Sequence, residues 1–276
     1  MEDTGDFFRE AERRMEKLWE QFSIAPEVTV VGLVSPFGAG GSSDGQGDIW
    51  TLTFSFVLWR SDSGDVQESE LSIRQHLSHD ELKAVMKMIE PYEVLRARVR
   101  LVVDSVLETP QAELIELIGS DNDGHLQQIA KNLQIPITVQ DEKFGNLTLD
   151  RGLDRFDGQV KWNGKTVGLT IEAIGEELCP DSLAAAKKLF SNEESWGQRI
   201  DDYAVKMLHG QTWLEEEDEV ELTREEFLSR MKLTDIGVSQ DRSFEFWHED
   251  GDLFWGHSIV IYGDLESGPT SLDTPG

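Results

Sequence analysis

The residue types best suited to chemistry gather near the C-terminal end, in Ser243 to Asp264, SFEFWHEDGDLFWGHSIVIYGD. Two of the six histidines, His248 and His257, stand there with Asp252 between them. Two imidazoles and a carboxylate could hold zinc or iron. Their spacing argues against it. Asp250-Gly251 favours a two-residue hairpin turn, which pairs Glu249 with Asp252, His248 with Leu253, Phe246 with Trp255 and Phe244 with His257. His257 then lies roughly 13 Å along the strand from His248, while metal ligands stand ~2 Å from their ion. Side chains alternate faces along a strand, so Asp252 points away from the histidine face. The expectation is two separate structural histidines on a buried face shared with Phe244, Phe246, Leu253, Trp255, Ile259 and Ile261. A catalytic group of His248, His257 and Asp252 is the alternative. The chain has no serine elbow, HExxH or Walker sequence.

Charge supplies two further constellations. Arg96, Arg98 and Arg100 alternate with Leu95, Ala97, Val99 and Leu101, so a strand would place all three guanidinium groups on one face. Such forks match carboxylates and other anions, which makes them a candidate anion site. Pairing with acids on neighbouring strands, such as Glu68, Glu70 or Glu113, is the structural counterpart. Glu215, Glu216, Glu217, Asp218, Glu219 and Glu221 form the densest acid run. It reads as a solvated loop or as a contact for a basic protein, and it lacks the spacing of an EF-hand. Cys179, the single cysteine, reads as an inert loop thiol, and no internal disulfide is available to it. The glycine-rich Gly38–Gly47 lacks the Gly-Lys-Ser/Thr of a phosphate-cradling loop and reads as a hairpin tip.

These groups need elements to carry them. Residues 4–22 have the period of an amphipathic helix. Strands are expected at 27–37, at 50–58, at about 66–76, at 93–103 and at 111–118. Ser78 and Glu81 form a capping box for a helix ended by Pro91, and another helix covers about 123–133. Beyond a boundary near Pro136–Lys143, a strand at 144–150 precedes a hairpin about Asn163-Gly164. A helical region follows from Pro180 to His209, and a second capping box at Thr223 and Glu226 opens the last helix. The fold class is α+β in two domains, 1–140 and 141–276, each an antiparallel strand-rich sheet packed with helices. The tail from about 266, rich in Gly, Pro, Ser and Thr, is expected to be disordered.

Phe246-Trp247, then Asp250-Gly251-Asp252-Leu253-Phe254-Trp255-Gly256-His257 and Gly263-Asp264-Leu265-Glu266 resemble the end of a family of uncharacterised bacterial proteins, domain of unknown function 2262. Phe144 to Asp150, Phe156-Asp157-Gly158 and Val160 to Gly164 resemble its start. The resemblance covers roughly 141–270 and implies a bacterial α+β domain. It brings no catalytic residues. The first half carries no such resemblance.

The chain has 276 residues, 38% of them apolar, with eight tryptophans. That is enough to bury a core. Its 25 Lys+Arg against 54 Asp+Glu leave a formal charge of −29. Net charge of this sign opposes nucleic acid and anionic membranes and attracts a basic protein. No apolar run approaches the ~18 residues of a membrane span. The composition therefore points to a cytoplasmic, non-enzymatic, acidic protein-binding module without cofactors. Such a module would neutralise or inhibit a basic partner such as a toxin or nuclease. The competing reading is a hydrolase or metal-dependent enzyme centred on His257.

Overall fold

The computed structural model describes residues 4–43, 48–62, 64–210, 212–213 and 222–275, with side chains from residue 9 onward. The chain divides into two compact units, Met1–Ile135 and Pro136–Gly276. Both combine helices with strand-rich sheet, so the α+β class stands.

The first unit runs α1 (Thr4–Ile24), β1 (Glu27–Ser42), β2 (Ile49–Ser61), β3 (Leu71–Ser78), α2 (His79–Met86), β4 (Val94–Val102), β5 (Gln111–Ser120) and α3 (Gly124–Leu133). Its strands close into a barrel in the order β1-β2-β3-β5-β4. All pairings are antiparallel except β3 with β5. Alternation fills the interior: Leu52, Phe54 and Phe56 of β2 meet Leu71 and Ile73 of β3 and Ala97 and Val99 of β4, with Leu82 of α2 in the same core. The barrel with a helix between its third and fourth strands is of the OB type. Gly32 is required by this core, because a Cβ there would stand 2.2 Å from the Phe56 ring. Pro36 does not end β1. The strand passes it through irregular pairing between Val34 and Ala39, as proline permits at a bulge. Both halves of the Ser78–Glu81 capping box form. On α1, Leu18 and Phe22 are fully buried, and Trp19 stacks on His76 of β3 at 4.0 Å.

The second unit runs β6 (Thr138–Asp141), β7 (Gly145–Asp150), β8 (Arg155–Trp162), β9 (Lys165–Ile174), β10 (Glu177–Leu178), α4 (Pro180–Leu189), α5 (Glu193–Leu208), α6 (Arg224–Arg230), β11 (Lys232–Val238), β12 (Ser243–Glu249), β13 (Ile259–Asp264) and β14 (Gly268–Asp273). The sheet order is β14-β13-β12-β11-β9-β8-β7-β6, with β10 beside β9. The crossover through α4, α5 and α6 makes β11 parallel to β9, the one parallel pairing among the described residues of this sheet. Val160, Trp162, Val167, Leu169, Ile171, Phe244 and Phe246 share a core with Ala186, Leu189, Trp196, Ile200 and Phe227 of the helices. The Asn163-Gly164 turn forms as expected, with φ of 46° and 80° and Trp162 opposite Lys165.

Two expectations fail in this unit. Asp250-Gly251 does not close a two-residue hairpin: β12 pairs with β13 through His248 opposite Ile259 and Phe246 opposite Ile261. The Asp250 carboxylate is the cause. Buried at 4% exposure, it accepts from the backbone N–H of Asp252, Phe254 and Gly256. These bonds curl residues 250–258 into a loop and leave Trp255 73% exposed. The tail expected to be disordered from about 266 forms β14 instead. Its backbone pairs with β13 and completes the sheet edge, so polar composition there marks an edge strand.

Candidate functional site

A cavity of the second unit lies where α5, α6, the β8–β9 turn, β11 and β12 meet. It holds about 150 Å³ and is lined by Trp162, Asn163, Lys165, Gly197, Ile200, Asp201, Leu228, Met231, Leu233, Phe246 and His248. The strand period sends Trp162, Phe246 and His248 to the core face, where all three are buried. Trp162 and Phe246 meet edge to face at 5.4 Å, and Phe190 also packs edge to face with the indole at 4.8 Å. Ile200 and Asp201 are adjacent on α5, so one faces the core and the other borders it.

Asn163 locks the mouth. Its backbone N–H donates to Glu193 Oε2 at 2.8 Å, and its Nδ2 donates to the Glu193 carbonyl at 3.3 Å. The turn can approach α5 this closely because residue 197 is glycine: a Cβ there would lie 2.9 Å from Asn163 Nδ2. The Asn163 Oδ1 and the Trp162 indole N–H have no partner among the described residues.

Asp201 is the unusual group. It is half-buried and makes no hydrogen bond among the described residues. Burial pushes its carboxyl above the usual aspartate range. The charges of Arg224 and Lys165 offset part of that shift, and Asp202 adds to it. Neither cation comes into ion-pair contact with Asp201, because Arg224 is bound to Asp202. Beside it, burial lowers His248 to about 4, an effect that the backbone of Phe246 and Ile259 only partly offsets. His248 Nδ1 has no well-formed hydrogen bond, so the imidazole is neutral at pH 7. A desolvated carboxylate and a neutral imidazole around one aromatic-walled cavity are the pattern of a binding or acid–base site.

The expected candidates are placed elsewhere or apart. His248 lines the cavity, but His257 sits in the 250–258 loop, with Nδ1 3.2 Å from the Thr274 carbonyl oxygen and its ring against Trp213. Asp252 belongs to the same loop, at a positive φ of 64°. Among the described residues no three His, Cys, Asp or Glu side chains gather as metal ligands. Arg96 binds Asp62 and Asp121, Arg98 binds Glu116 and Glu27, and Arg100 binds Glu113 and Glu27. All three guanidinium groups of the row therefore pair with neighbouring acids, as on adjacent strands. Cys179 is fully buried and precedes α4. Glu215, Glu216, Glu217, Asp218, Glu219 and Glu221 lie outside the described residues. Among the described residues no helix is long and apolar enough to cross a membrane.

Asp201 and Asn163 were not among the sequence candidates. The signal for them was Gly197. A glycine inside an amphipathic helix costs about 1 kcal/mol against alanine and so marks a close approach.

Solved structures similar to the chain include the small single-stranded DNA-binding protein from Streptomyces coelicolor. It is 10% identical, with 35% of this chain and 94% of that one covered and a TM-score of 0.26. The single-stranded DNA binding protein from Thermus aquaticus is 9% identical, with 91% and 92% covered and a TM-score of 0.23. These finds overturn the expectation of a basic protein partner to the exclusion of nucleic acid. Net charge was a poor ground for that exclusion, because it averages over the surface: Arg9, Arg13, Arg14 and Lys17, with Glu10, line one groove along α1. At such TM-scores the likeness assigns no ligand to this chain. No curated protein matches it. The first half, for which no family was expected, has one: residues 15–133 match a domain of unknown function (DUF7021). Residues 141–274 match the family described as an uncharacterized protein conserved in bacteria (DUF2262), so the second unit carries the domain that the aromatic loop and the Asn163-Gly164 hairpin resembled.

Proposed function

We propose that the second unit is a small-molecule-binding domain whose site is the Asp201–His248 cavity. One observation carries this reading: Asp201 is a half-buried carboxylate, without a hydrogen bond among the described residues, on the wall of an aromatic-lined cavity. Partial burial of an unpaired carboxylate costs free energy, and a ligand that supplies the missing partner recovers it. The volume suits a molecule of about benzene size, since an engineered apolar cavity of roughly 150 Å³ takes benzene.

A ligand-observed NMR screen of fragments of up to about eight heavy atoms tests this. Wild-type protein is compared with Leu228→Trp, which fills the cavity from α6. Hits should be lost in the filled variant. Hits that bind both proteins equally, or no hits at all, would refute the assignment.

A further inference from the structure

We infer that the cavity takes a small organic amine in its protonated form, with the ammonium against Asp201 and the hydrocarbon part against Trp162 and Phe246. The inference rests on the small-molecule reading above and adds the chemical class of the ligand.

Charge selects the class. Asp201 is the acid of the lining, and Lys165 is its cation. They differ in placement: Asp201 is half-buried, whereas Lys165 is exposed at the mouth and makes no ion pair with it. Inside the cavity the field is therefore that of a carboxylate. An anion would be repelled at short range, where Coulomb energies in a partly desolvated site are several-fold larger than in water. A neutral molecule would leave the carboxylate unpartnered. An ammonium gives it charge-assisted hydrogen bonds, the strong kind.

The walls suit the rest of such a molecule. Ile200, Leu228, Met231 and Leu233 provide apolar surface. Trp162 and Phe246 add aromatic surface for the hydrocarbon part. Asn163 adds an acceptor at the mouth, because its Nδ2 is already engaged by Glu193 and its Oδ1 is not. His248 is neutral and adds no repulsion. The other nearby cation, Arg224, is held on Asp202.

The test uses three probes with one ring and different head groups: benzylamine, benzyl alcohol and benzoate. Affinities for the full chain are measured at pH 7 by ligand-observed NMR, for wild type, Asp201→Asn, Lys165→Met and Leu228→Trp. Benzylamine should bind at least tenfold more tightly than benzyl alcohol, and benzoate should bind least. Asp201→Asn should weaken benzylamine by tenfold or more and leave benzyl alcohol within twofold. Lys165→Met removes the competing cation and should tighten benzylamine. All binding should vanish in Leu228→Trp. If the alcohol binds as well as the amine, or Asp201→Asn leaves benzylamine unchanged, the amine assignment fails while the cavity reading survives. If no probe binds, or all bind Leu228→Trp as well as wild type, both fail.

Discussion

Replacing His248 with glutamine should remove a specific part of the acid sensitivity of folding. The imidazole is buried in the folded state, where its pKa falls from 6.5 to about 4. Above pH 6.5 it is neutral in folded and unfolded chains alike, and it contributes no pH dependence. Below 6.5 the unfolded chain takes up a proton and the folded chain does not. The unfolded state then binds more protons, so stability falls as pH falls, until the folded state also protonates near pH 4. Each pH unit inside that window is worth about 1.4 kcal/mol. Between pH 7.5 and pH 4.5 only the two units below 6.5 count, and wild type should lose roughly 3 kcal/mol through this residue. That is a large share of the ~5–15 kcal/mol that holds a domain together. Urea unfolding of wild type and His248→Gln at both pH values gives the difference directly, because the carboxylates titrate in both proteins and cancel. The variant should be less stable at pH 7.5 through poorer packing, and the gap should shrink or reverse at pH 4.5. Two stability curves that run parallel from pH 7.5 to 4.5 would show that His248 protonates freely in the folded state, and the buried neutral imidazole would be refuted.

Three further outcomes follow from the geometry. Asp250→Ala removes the acceptor of three loop N–H groups and should destabilise the chain by roughly 3 kcal/mol or more, read by urea unfolding, because orphaned buried donors are costly. Gly32→Ala puts a methyl 2.2 Å from the Phe56 ring inside the barrel and should lower stability by about 1–3 kcal/mol as an overpacked core does; an unchanged unfolding midpoint would contradict the closed barrel. Gly197→Ala gains roughly 1 kcal/mol of helix propensity but crowds Asn163 Nδ2 at 2.9 Å. Its stability should stay within about 1 kcal/mol of wild type, while the affinity for benzylamine drops, a split that calorimetry and ligand-observed NMR can resolve.

Local signals carried much of this fold. Ser78–Glu81 and Thr223–Glu226 each satisfy two backbone donors at a helix start, and that needs only four residues. Asn163-Gly164 set its hairpin because both residues tolerate positive φ. Asp250-Gly251 misled for a physical reason: Asp250 is buried, and its carboxylate bonds forward to three N–H groups instead of lying at a solvated turn tip. The parallel pairings of β3 with β5 and of β9 with β11 join segments far apart in sequence, which no local pattern announces. The tail looked too polar to fold, yet a strand at a sheet edge buries little and needs mainly backbone partners. The site was half legible. His248 was visible as a histidine on an apolar strand face, but its company was assigned by a turn that does not form. Asp201 stood beside the apolar stripe of α5 as one acid among many. Its place in the wall of a cavity assembled from distant segments makes it a desolvated one, and Gly197 marked only the approach of the Asn163 turn.

The central claim is that Asp201 waits for a cationic partner inside the cavity. The most direct measurement is a two-dimensional NMR titration of the wild-type chain with benzylamine at pH 7, following the backbone amides and the tryptophan indole N–H signals. Shifts confined to Trp162, Asn163, Gly197, Asp201, Leu228, Phe246 and His248, and abolished in Asp201→Asn, are the predicted result. Shifts spread over the acidic surface, or an unchanged cavity with the amine in large excess, would contradict it.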